Sequence, residues 1–396
     1  MKIIGLDVGQ GSAVLCCLSE FPANIQQHYR SLKREKKFYK VNCNRAGVDK
    51  LLSLQPQGIV LEPSGHWYSH FWVTVAKRQS IPIYWVSHTD LYGARKNYGF
   101  TNKRDEEDAL CLAATFFDDK FIDSQGKKRY LRYYYDEIIT NLRELFLAKE
   151  QLQKLRTNLI AQLRQRLSYE FPEVSRHTMD IGCLGYTPII HWLAFNHPKT
   201  RYDNKYKLSV AHDLGIEISN YTRNHARLII DIEERYSSHL ELIEKAIAIP
   251  EFAPYNRVFN RFGFGTTLRA LLLINIYPFE KFLMDGKPLV EREDGQKRDR
   301  SLRKFQAFLG MSYKFNQSGN KVTRTFGGST MMRSHLYVWA VCCIAPKKHR
   351  IKSDIGRELI DRYDELRQTV KGKDALIRIL FKATRLLYRE LIKELR

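Results

Sequence analysis

Short apolar runs alternate with amphipathic stretches along the first 120 residues. Residues 2–7 and 12–18 are apolar runs that are separated by a glycine-rich turn, which predicts a β-hairpin. Further strands are predicted at residues 38–42, 58–62 and 82–87, and helices at residues 48–54 and 67–78. Because strands alternate with helices after the opening hairpin, we expect an α/β domain in which helices cover a mixed sheet.

The rest of the chain has mainly helical spacing. Between residues 130 and 170, apolar residues recur at intervals of three and four, which is typical of a coiled-coil seam or a helical hairpin. These seam residues are Ile138, Leu142, Leu145, Leu152, Leu155, Leu159, Leu163 and Leu167. Residues 172–225, with three prolines and many aromatic and polar residues, are predicted to form an irregular insertion.

Helical periodicity resumes at residue 226 and stops before Pro250. A loop-rich section is predicted at residues 285–330, and three helices are predicted at residues 331–344, 354–371 and 374–396. The sequence therefore predicts three regions. They are an α/β domain at residues 1–125, a central long-helix or coiled-coil and insertion region at residues 126–225, and a mainly α-helical C-terminal domain at residues 226–396.

The charge of the chain indicates a polyanionic partner. The 396 residues include 65 lysines and arginines against 43 aspartates and glutamates, a formal net charge of +22. Such an excess favours nucleic acid, through neutralisation of phosphates and release of counterions. No apolar run approaches the ~20 residues of a membrane span, and none of the seven cysteines forms a C-x-x-C pair. We therefore expect a soluble cytosolic protein with reduced thiols and no membrane partner.

Four carboxylates occupy positions where a sheet rim and a helix face would present them. Asp7 and Glu62 are each predicted to close an apolar strand, and Asp105 and Asp108 lie on one face of a predicted helix. Mg²⁺ prefers oxygen ligands, and two such ions can hold the attacking and leaving oxygens of a phosphodiester. We predict that these four residues, called the acidic set below, bind Mg²⁺ or Mn²⁺. The alternatives are a turn residue at Asp7 and a charged helix start at Asp105 and Asp108.

The motifs around the acidic set resemble those of a known family. The chain resembles the DEDD insertion-sequence transposases at three places: Asp7 on the first strand, E-P-S-G from Glu62, and K-R-D-E-E-D-A at residues 103–109. Members of that family typically show E-x-T-G and K-T-D-x-x-D-A at the last two places. The resemblance implies a ribonuclease-H-like, Holliday-junction-resolvase-like first domain with the acidic set as its metal ligands. The sequence departs from the family pattern at Ser64, Arg104 and Gln10, and none of these departures removes a carboxylate.

A second block of similarity lies in the basic C-terminal region. The motifs F-L-G-M at residues 308–311 and N-Q-S-G at residues 316–319 resemble the G-L-x-P…Q-S-G block of the same family. The resemblance implies that Ser318 attacks a DNA phosphate and holds the broken strand as a phosphoserine. The residues alone favour a turn serine, since no neighbouring His or Asp completes a triad. In the family a composite site combines the serine and the metal site from different subunits.

Basic residues close to Ser318 in the sequence are candidates for phosphate binding, and a solvated basic face is the alternative for each of them. They are Arg324, Arg333, Lys347 and Lys348, with Arg350 as a further candidate. Aromatic residues among basic ones suit stacking on unpaired bases, although core packing explains most of them. His66 and His335 are predicted to be structural.

The resemblance implies a DNA transposase or recombinase that cuts and rejoins strands through a serine–DNA intermediate. It also implies a homo-oligomer, a dimer or tetramer, that is guided by a structured bridge RNA pairing with target and donor DNA. The residues alone indicate only basic, Mg²⁺-dependent phosphodiester chemistry. Two alternatives remain open. One is a junction-resolving nuclease in which water attacks and Ser318 is idle, and the other is a non-catalytic nucleic-acid-binding relative.

Overall fold

Two compact units, Met1–Asp136 and Glu137–Arg396, make up the chain. The structure is a computed structural model, and it describes residues 1–63, 67–122, 128, 131–133, 137–176, 188–195, 200–293, 295–319, 321–348 and 350–395. Ser64 and His66, which the sequence analysis singled out, lie outside the described residues, as do parts of the predicted insertion. None of the described helices is both long enough and apolar enough to cross a bilayer.

A six-stranded mixed sheet forms the centre of the first unit. Its strands are β1 (Ile3–Gly9), β2 (Ser12–Leu18), β3 (Tyr39–Asn42), β4 (Gly58–Leu61), β5 (Ile83–Trp85) and β6 (Arg132–Tyr133), in the order β3-β2-β1-β4-β5-β6. The first two strands form the predicted hairpin, whereas β4 runs parallel to both β1 and β5. The predicted α/β domain with a mixed sheet is therefore confirmed.

Helices cover both faces of this sheet. They are α1 (Ile25–Arg34), α2 (Arg45–Ser53), α3 (His70–Arg78), α4 (His88–Asn97) and α5 (Asp105–Phe117). Successive residues of β1 enter different cores, with Ile3 packing beside α1, α4 and α5 while Ile4 and Leu6 pack beside α2 and α3. Asp7 follows Leu6 and therefore points to the same face as Ile3, the face that α5 covers.

Two helices of this unit were not predicted. In helix α1 the side chain of Asn24 accepts from the backbone N–H of Gln27 as a cap, and the buried residues follow helical spacing. Helix α4 begins after Ser87, whose side chain caps it through Asp90. The prediction that Asp7 closes the first strand was wrong, because β1 continues to Gly9 and Asp7 pairs with Val14.

The second unit begins with a helical hairpin. Its long helices are α6 (Glu137–Glu170) and, after the intervening segment, α10 (Asn220–Ile247). Ser219 donates to Glu170 at one end of the pair, and Arg156 donates to Glu233 at 3.1 Å farther along, so the two helices run antiparallel. Most seam residues of α6 are buried or half-buried within this chain. Of the two arrangements that the spacing allowed, the helical hairpin is the one that forms.

The described part of the segment between these helices is helical, whereas the sequence predicted an irregular insertion. Its described part contains α7 (Pro188–Phe195), α8 (Thr200–Lys207) and α9 (Val210–Asp213). The prolines that suggested irregularity at Pro172 and Pro188 stand in first helical turns, where a missing N–H is harmless. Aromatic side chains such as Phe171, Trp192 and Tyr206 pack together in a core that these short helices share with α6 and α10.

The remainder of the unit is a helical body that carries two β-hairpins. The helices are α11 (Ala253–Arg261), α12 (Thr266–Ile276), α13 (Arg300–Phe308), α14 (Thr330–Cys343), α15 (Asp354–Thr369) and α16 (Gly372–Leu395). The strands are β7 (Val290–Glu293), β8 (Gln296–Asp299), β9 (Ser312–Ser318) and β10 (Lys321–Gly327). The described part of the predicted loop-rich section therefore contains two hairpins and a helix, and the positive φ of Gly295 and Gly319 allows the tight turns.

An ion pair joins α14 to α6. His335 donates through Nδ1 to the carbonyl of Met331, and its Nε2 lies 3.6 Å from Oε1 of Glu150. The His335 contact and the neighbouring Lys149 lower the pKa of Glu150 to about 2, and Glu150 raises the pKa of His335 above 6.5. This geometry supports the structural role that the sequence predicted for His335.

We expect His335→Gln to destabilise the protein mainly in mild acid. Glu150 contributes above its unfolded pKa near 4.5 and His335 contributes below its unfolded pKa near 6.5, so the pair is complete between these values. Urea unfolding should show a loss of about 1 kcal/mol near pH 5.5 and a smaller loss near pH 9. The same substitution at His239 is the control, because Nδ1 of His239 also donates to the backbone carbonyl four residues earlier in its helix. A loss independent of pH would contradict the ion pair.

Candidate active site

The register of two parallel strands brings Asp7 and Glu62 together. The pairing of β1 with β4 ends at Leu6 opposite Leu61, and the two acids follow immediately. Val60 and Ile3 lie in the same core, so Glu62 and Asp7 project from the face of the sheet that α5 covers. Glu62 is buried, at 9% exposure, and Asp7 is half-buried. Asp7, within the last three residues of β1, and Glu62, directly after β4, therefore lie side by side.

Close packing of α5 on β1 places the other two carboxylates nearby. A Cβ added to Gly5 would lie 1.9 Å from the carbonyl oxygen of Ala109 and 2.5 Å from the nitrogen of Ala113. Only a glycine allows this backbone approach. Asp105 and Asp108 stand in the first turn of α5, beside the end of β1. The sequence therefore encodes the position of these acids partly through Gly5.

We expect Gly5→Ala to force α5 away from β1. The variant should lower the free energy of unfolding by about 3 kcal/mol, because neither backbone group can move without displacing the helix. Gly93→Ala is the matched control, since nothing lies within 4 Å of a Cβ added there in α4. That substitution should stabilise the protein by about 0.5–1 kcal/mol. Urea unfolding measures both, and equal stability of the two variants would exclude the close approach.

The four carboxylates influence one another electrostatically. Burial and the charges of Asp108, Asp105 and Glu62 together raise the pKa of Asp7 from 3.8 to about 7, and Lys103 offsets this only in part. Burial also raises the pKa of Asp108, against the opposing effect of Arg95. The acidic set is therefore a cluster of like charges in a partly buried site, which is an environment that a bound cation would stabilise.

Two of the four carboxylates are held by basic partners. Arg95 of α4 donates to both carboxylate oxygens of Asp108, at 2.8 and 3.1 Å, and Nδ1 of His88 lies 2.8 Å from Oε2 of Glu62. Across the described chain, no three His, Cys or carboxylate side chains are gathered closely enough to hold a metal ion. The sequence analysis identified neither Arg95 nor His88, because both lie in α4, a helix that was not predicted.

Ser318 is the last residue of β9, at the tip of the second hairpin. It pairs with Lys321 across a turn that includes Gly319, whose φ is +56°. Gln317 stabilises this turn by donating to the carbonyl of Gly319 at 3.2 Å. The outer residues of both strands are exposed. Ser318 is thus presented to solvent on a short ribbon rather than on an irregular loop.

The predicted phosphate-binding residues have different surroundings. Arg324 is exposed and its guanidinium lies 3.3 Å from the centroid of Tyr313. Arg333 donates to the carbonyls of Gly310 and Gly327 and so supports the base of the hairpin. Lys347 and Lys348 are exposed in the segment after α14. Arg350 makes two 2.7 Å hydrogen bonds to Asp364, so its guanidinium is already paired with a carboxylate of the protein.

Residues 289–354 match a protein-family model described as the Transposase IS116/IS110/IS902 family. The match supports an IS110-type transposase. It spans about a sixth of the chain and extends from the first hairpin of the second unit to the start of α15. No curated protein matches the sequence significantly. The transposase-family segment contains Ser318 and the candidate basic residues, whereas the acidic set lies outside it.

Proposed function

We propose that this protein is a DNA transposase or recombinase in which Ser318 is the nucleophile. The observation that carries the proposal is that the transposase-family segment contains Ser318 and that the fold exposes this residue at a hairpin tip. Exposure matters because a hydroxyl buried inside the protein could not reach the phosphorus of a DNA backbone. The adjoining Gly319 leaves no side chain in the way of a phosphate.

The chemistry of such a serine conserves the number of phosphate ester bonds. Its Oγ bonds to phosphorus as the bond from phosphorus to one DNA oxygen breaks, and the serine proton is transferred, directly or through water, to that leaving oxygen. A hydroxyl of the incoming strand then attacks the same phosphorus, the bond from phosphorus to Oγ breaks, and the proton of that hydroxyl is transferred to Oγ of the released Ser318. Covalent catalysis of this kind divides one difficult exchange into two easier steps. Strands are rejoined without an external source of energy.

The acidic set fits a divalent metal site by its donor chemistry. All four proposed ligands are carboxylates, which Mg²⁺ and Mn²⁺ prefer, and burial together with their mutual repulsion raises the pKa of Asp7. A bound ion would neutralise phosphate charge and activate a hydroxyl. Arg95 and His88 each contact one of these carboxylates, and such contacts would orient Asp108 and Glu62 while leaving carboxylate lone pairs for a cation.

The first unit is proposed to have the ribonuclease-H-like fold. An opening antiparallel hairpin followed by two strands parallel to β1 supports this assignment. Guidance by a bridge RNA and assembly into a dimer or tetramer also belong to the proposal, and the net charge of +22 is consistent with binding both RNA and DNA. The proposal also includes a cytosolic location.

Identification of the copurifying nucleic acid tests the proposed RNA guidance. The full-length protein is purified at low salt, and the bound RNA and DNA are extracted and sequenced. We expect one discrete RNA with defined ends. Random fragments or no nucleic acid would contradict RNA guidance and would favour the junction-resolving nuclease. Binding without any Mg²⁺-dependent strand breakage would instead favour the non-catalytic relative.

A further inference from the structure

The β9–β10 hairpin has two chemically different faces. Directly opposed residues of an antiparallel pair share a face, and the register places Ser318 opposite Lys321 and Phe315 opposite Arg324. Because side chains alternate along a strand, these two pairs lie on opposite sides of the ribbon. We call the side with Phe315, Val322 and Arg324 the stacking face, and the side with Ser318 and Lys321 the phosphate face.

The stacking face is an aromatic platform with a cation built into it. Phe315 is 65% exposed and Val322 is 59% exposed. The guanidinium of Arg324 lies over the ring of Tyr313 and 5.6 Å from the centroid of Phe315. Tyr313 is itself stacked on Phe381 of α16, at a centroid distance of 5.1 Å. The base of the ribbon is therefore fixed to the helical body while its outer aromatic surface is open.

The charge of this hairpin is complementary to a polyanion. Residues 312–327 contain three basic residues and no acidic one. The neighbouring hairpin, at residues 290–299, contains three basic and four acidic residues. Both hairpins belong to the transposase-family segment, yet only the one that carries Ser318 has an unopposed positive charge. A second copy of the chain is a poor occupant, because it would bring like charges together.

We propose that the β9–β10 hairpin binds unpaired DNA, with bases on the stacking face and backbone phosphates at Lys321 beside Ser318. This proposal rests on the proposed function, since it concerns DNA next to the phosphate that Ser318 attacks. Unpaired DNA is the occupant because a ring such as Phe315 can stack only on a base whose face is free. In duplex DNA the bases already stack on one another. The hairpin thus selects strands that are open at the reaction site.

Fluorescence anisotropy with labelled single-stranded and duplex DNA of one mixed sequence tests this proposal. Phe315→Ala should weaken single-strand binding about tenfold and duplex binding much less, with no change in salt dependence. Phe315→Leu, which keeps apolar volume but has no aromatic ring, should behave in the same way. Lys321→Gln should reduce the slope of log affinity against log salt by about 0.7 for single strands. Lys297→Gln, in the neighbouring hairpin, is the control and should change neither quantity.

Several outcomes would overturn the proposal. These are unchanged single-strand binding by Phe315→Ala, an equal effect on duplex DNA, a larger effect on single-stranded RNA, or a change in the mass of the DNA-free protein by light scattering. The last would indicate an interface between copies. The proposed function is tested separately, by formation of a Ser318–DNA adduct. Absence of that adduct together with the predicted binding changes would refute the nucleophile and retain the hairpin site.

Discussion

Ser318→Ala is expected to abolish covalent protein–DNA complexes and strand transfer, with a loss of at least about a thousandfold in rate. Among the described residues of the turn no other group can substitute, because Gly319 has no side chain and the Gln317 amide donates to the carbonyl of Gly319. The variant should fold normally, since the residue is exposed at the end of β9. DNA binding should be unchanged, because the substitution removes no positive charge.

The measurement combines the purified protein, its copurifying RNA, Mg²⁺ and a randomised duplex library, and detects complexes that survive detergent. Ser334→Ala is the matched control, an exposed serine of α14 within the same family segment. It should behave as the unaltered protein does. Cleavage by Ser318→Ala at the normal rate would show that water is the nucleophile and would make the protein a junction-resolving nuclease.

Asp7→Asn is expected to remove activity and yet stabilise the metal-free protein. Cleavage should fall by at least about a thousandfold, because Asp7 is a proposed metal ligand on which the charges of the other three carboxylates act. The folded pKa of Asp7, about 7, is above its usual 3.8, so the stability associated with its proton is complete below pH 3.8 and is lost as the pH rises through 7. The neutral Asn side chain avoids that loss.

Urea unfolding in a chelator should therefore show Asp7→Asn gaining on the order of 2 kcal/mol near pH 8 and much less near pH 5. Asp49→Asn is the control, because Asp49 is an exposed acid of α2 that forms an ion pair with Arg45 four residues away. It should alter neither activity nor the pH dependence. A destabilised Asp7→Asn at pH 8 would refute the proposed repulsion among the carboxylates. A fully active variant would refute the proposed role of Asp7 in metal binding.

Much of the first unit could be predicted because its strands are short, apolar and bounded by turns. The hairpin of β1 and β2 and the strand before Glu62 follow directly from that pattern. Helices α1 and α4 could not be recognised in the same way, since their buried residues are few and their caps, Asn24 and Ser87, are single polar residues. The omission of α4 also concealed Arg95, which reaches Asp108 only through tertiary packing.

In the second unit, helical spacing identified the long helix but could not choose its partner. The same seam suits a coiled coil between chains and a hairpin within one chain, and the contacts of Glu170 and Arg156 with α10 distinguish them. The hairpin that carries Ser318 could not be recognised from the sequence, because its polar and apolar residues form an exposed ribbon rather than a core. Its N-Q-S-G motif suggested a turn, and the strands around that turn became visible only from the structure.

Mass spectrometry of the protein after reaction tests the central proposal most directly. The detergent-stable complex is treated with nuclease and then digested with trypsin, which releases residues 315–321 as one peptide. We expect this peptide to carry a phosphodeoxynucleotide on Ser318 in the unaltered protein, and no modified peptide from Ser318→Ala. Cleaved DNA accompanied by an unmodified Ser318 peptide, or a nucleotide attached to a different residue, would contradict the assignment of Ser318 as the nucleophile.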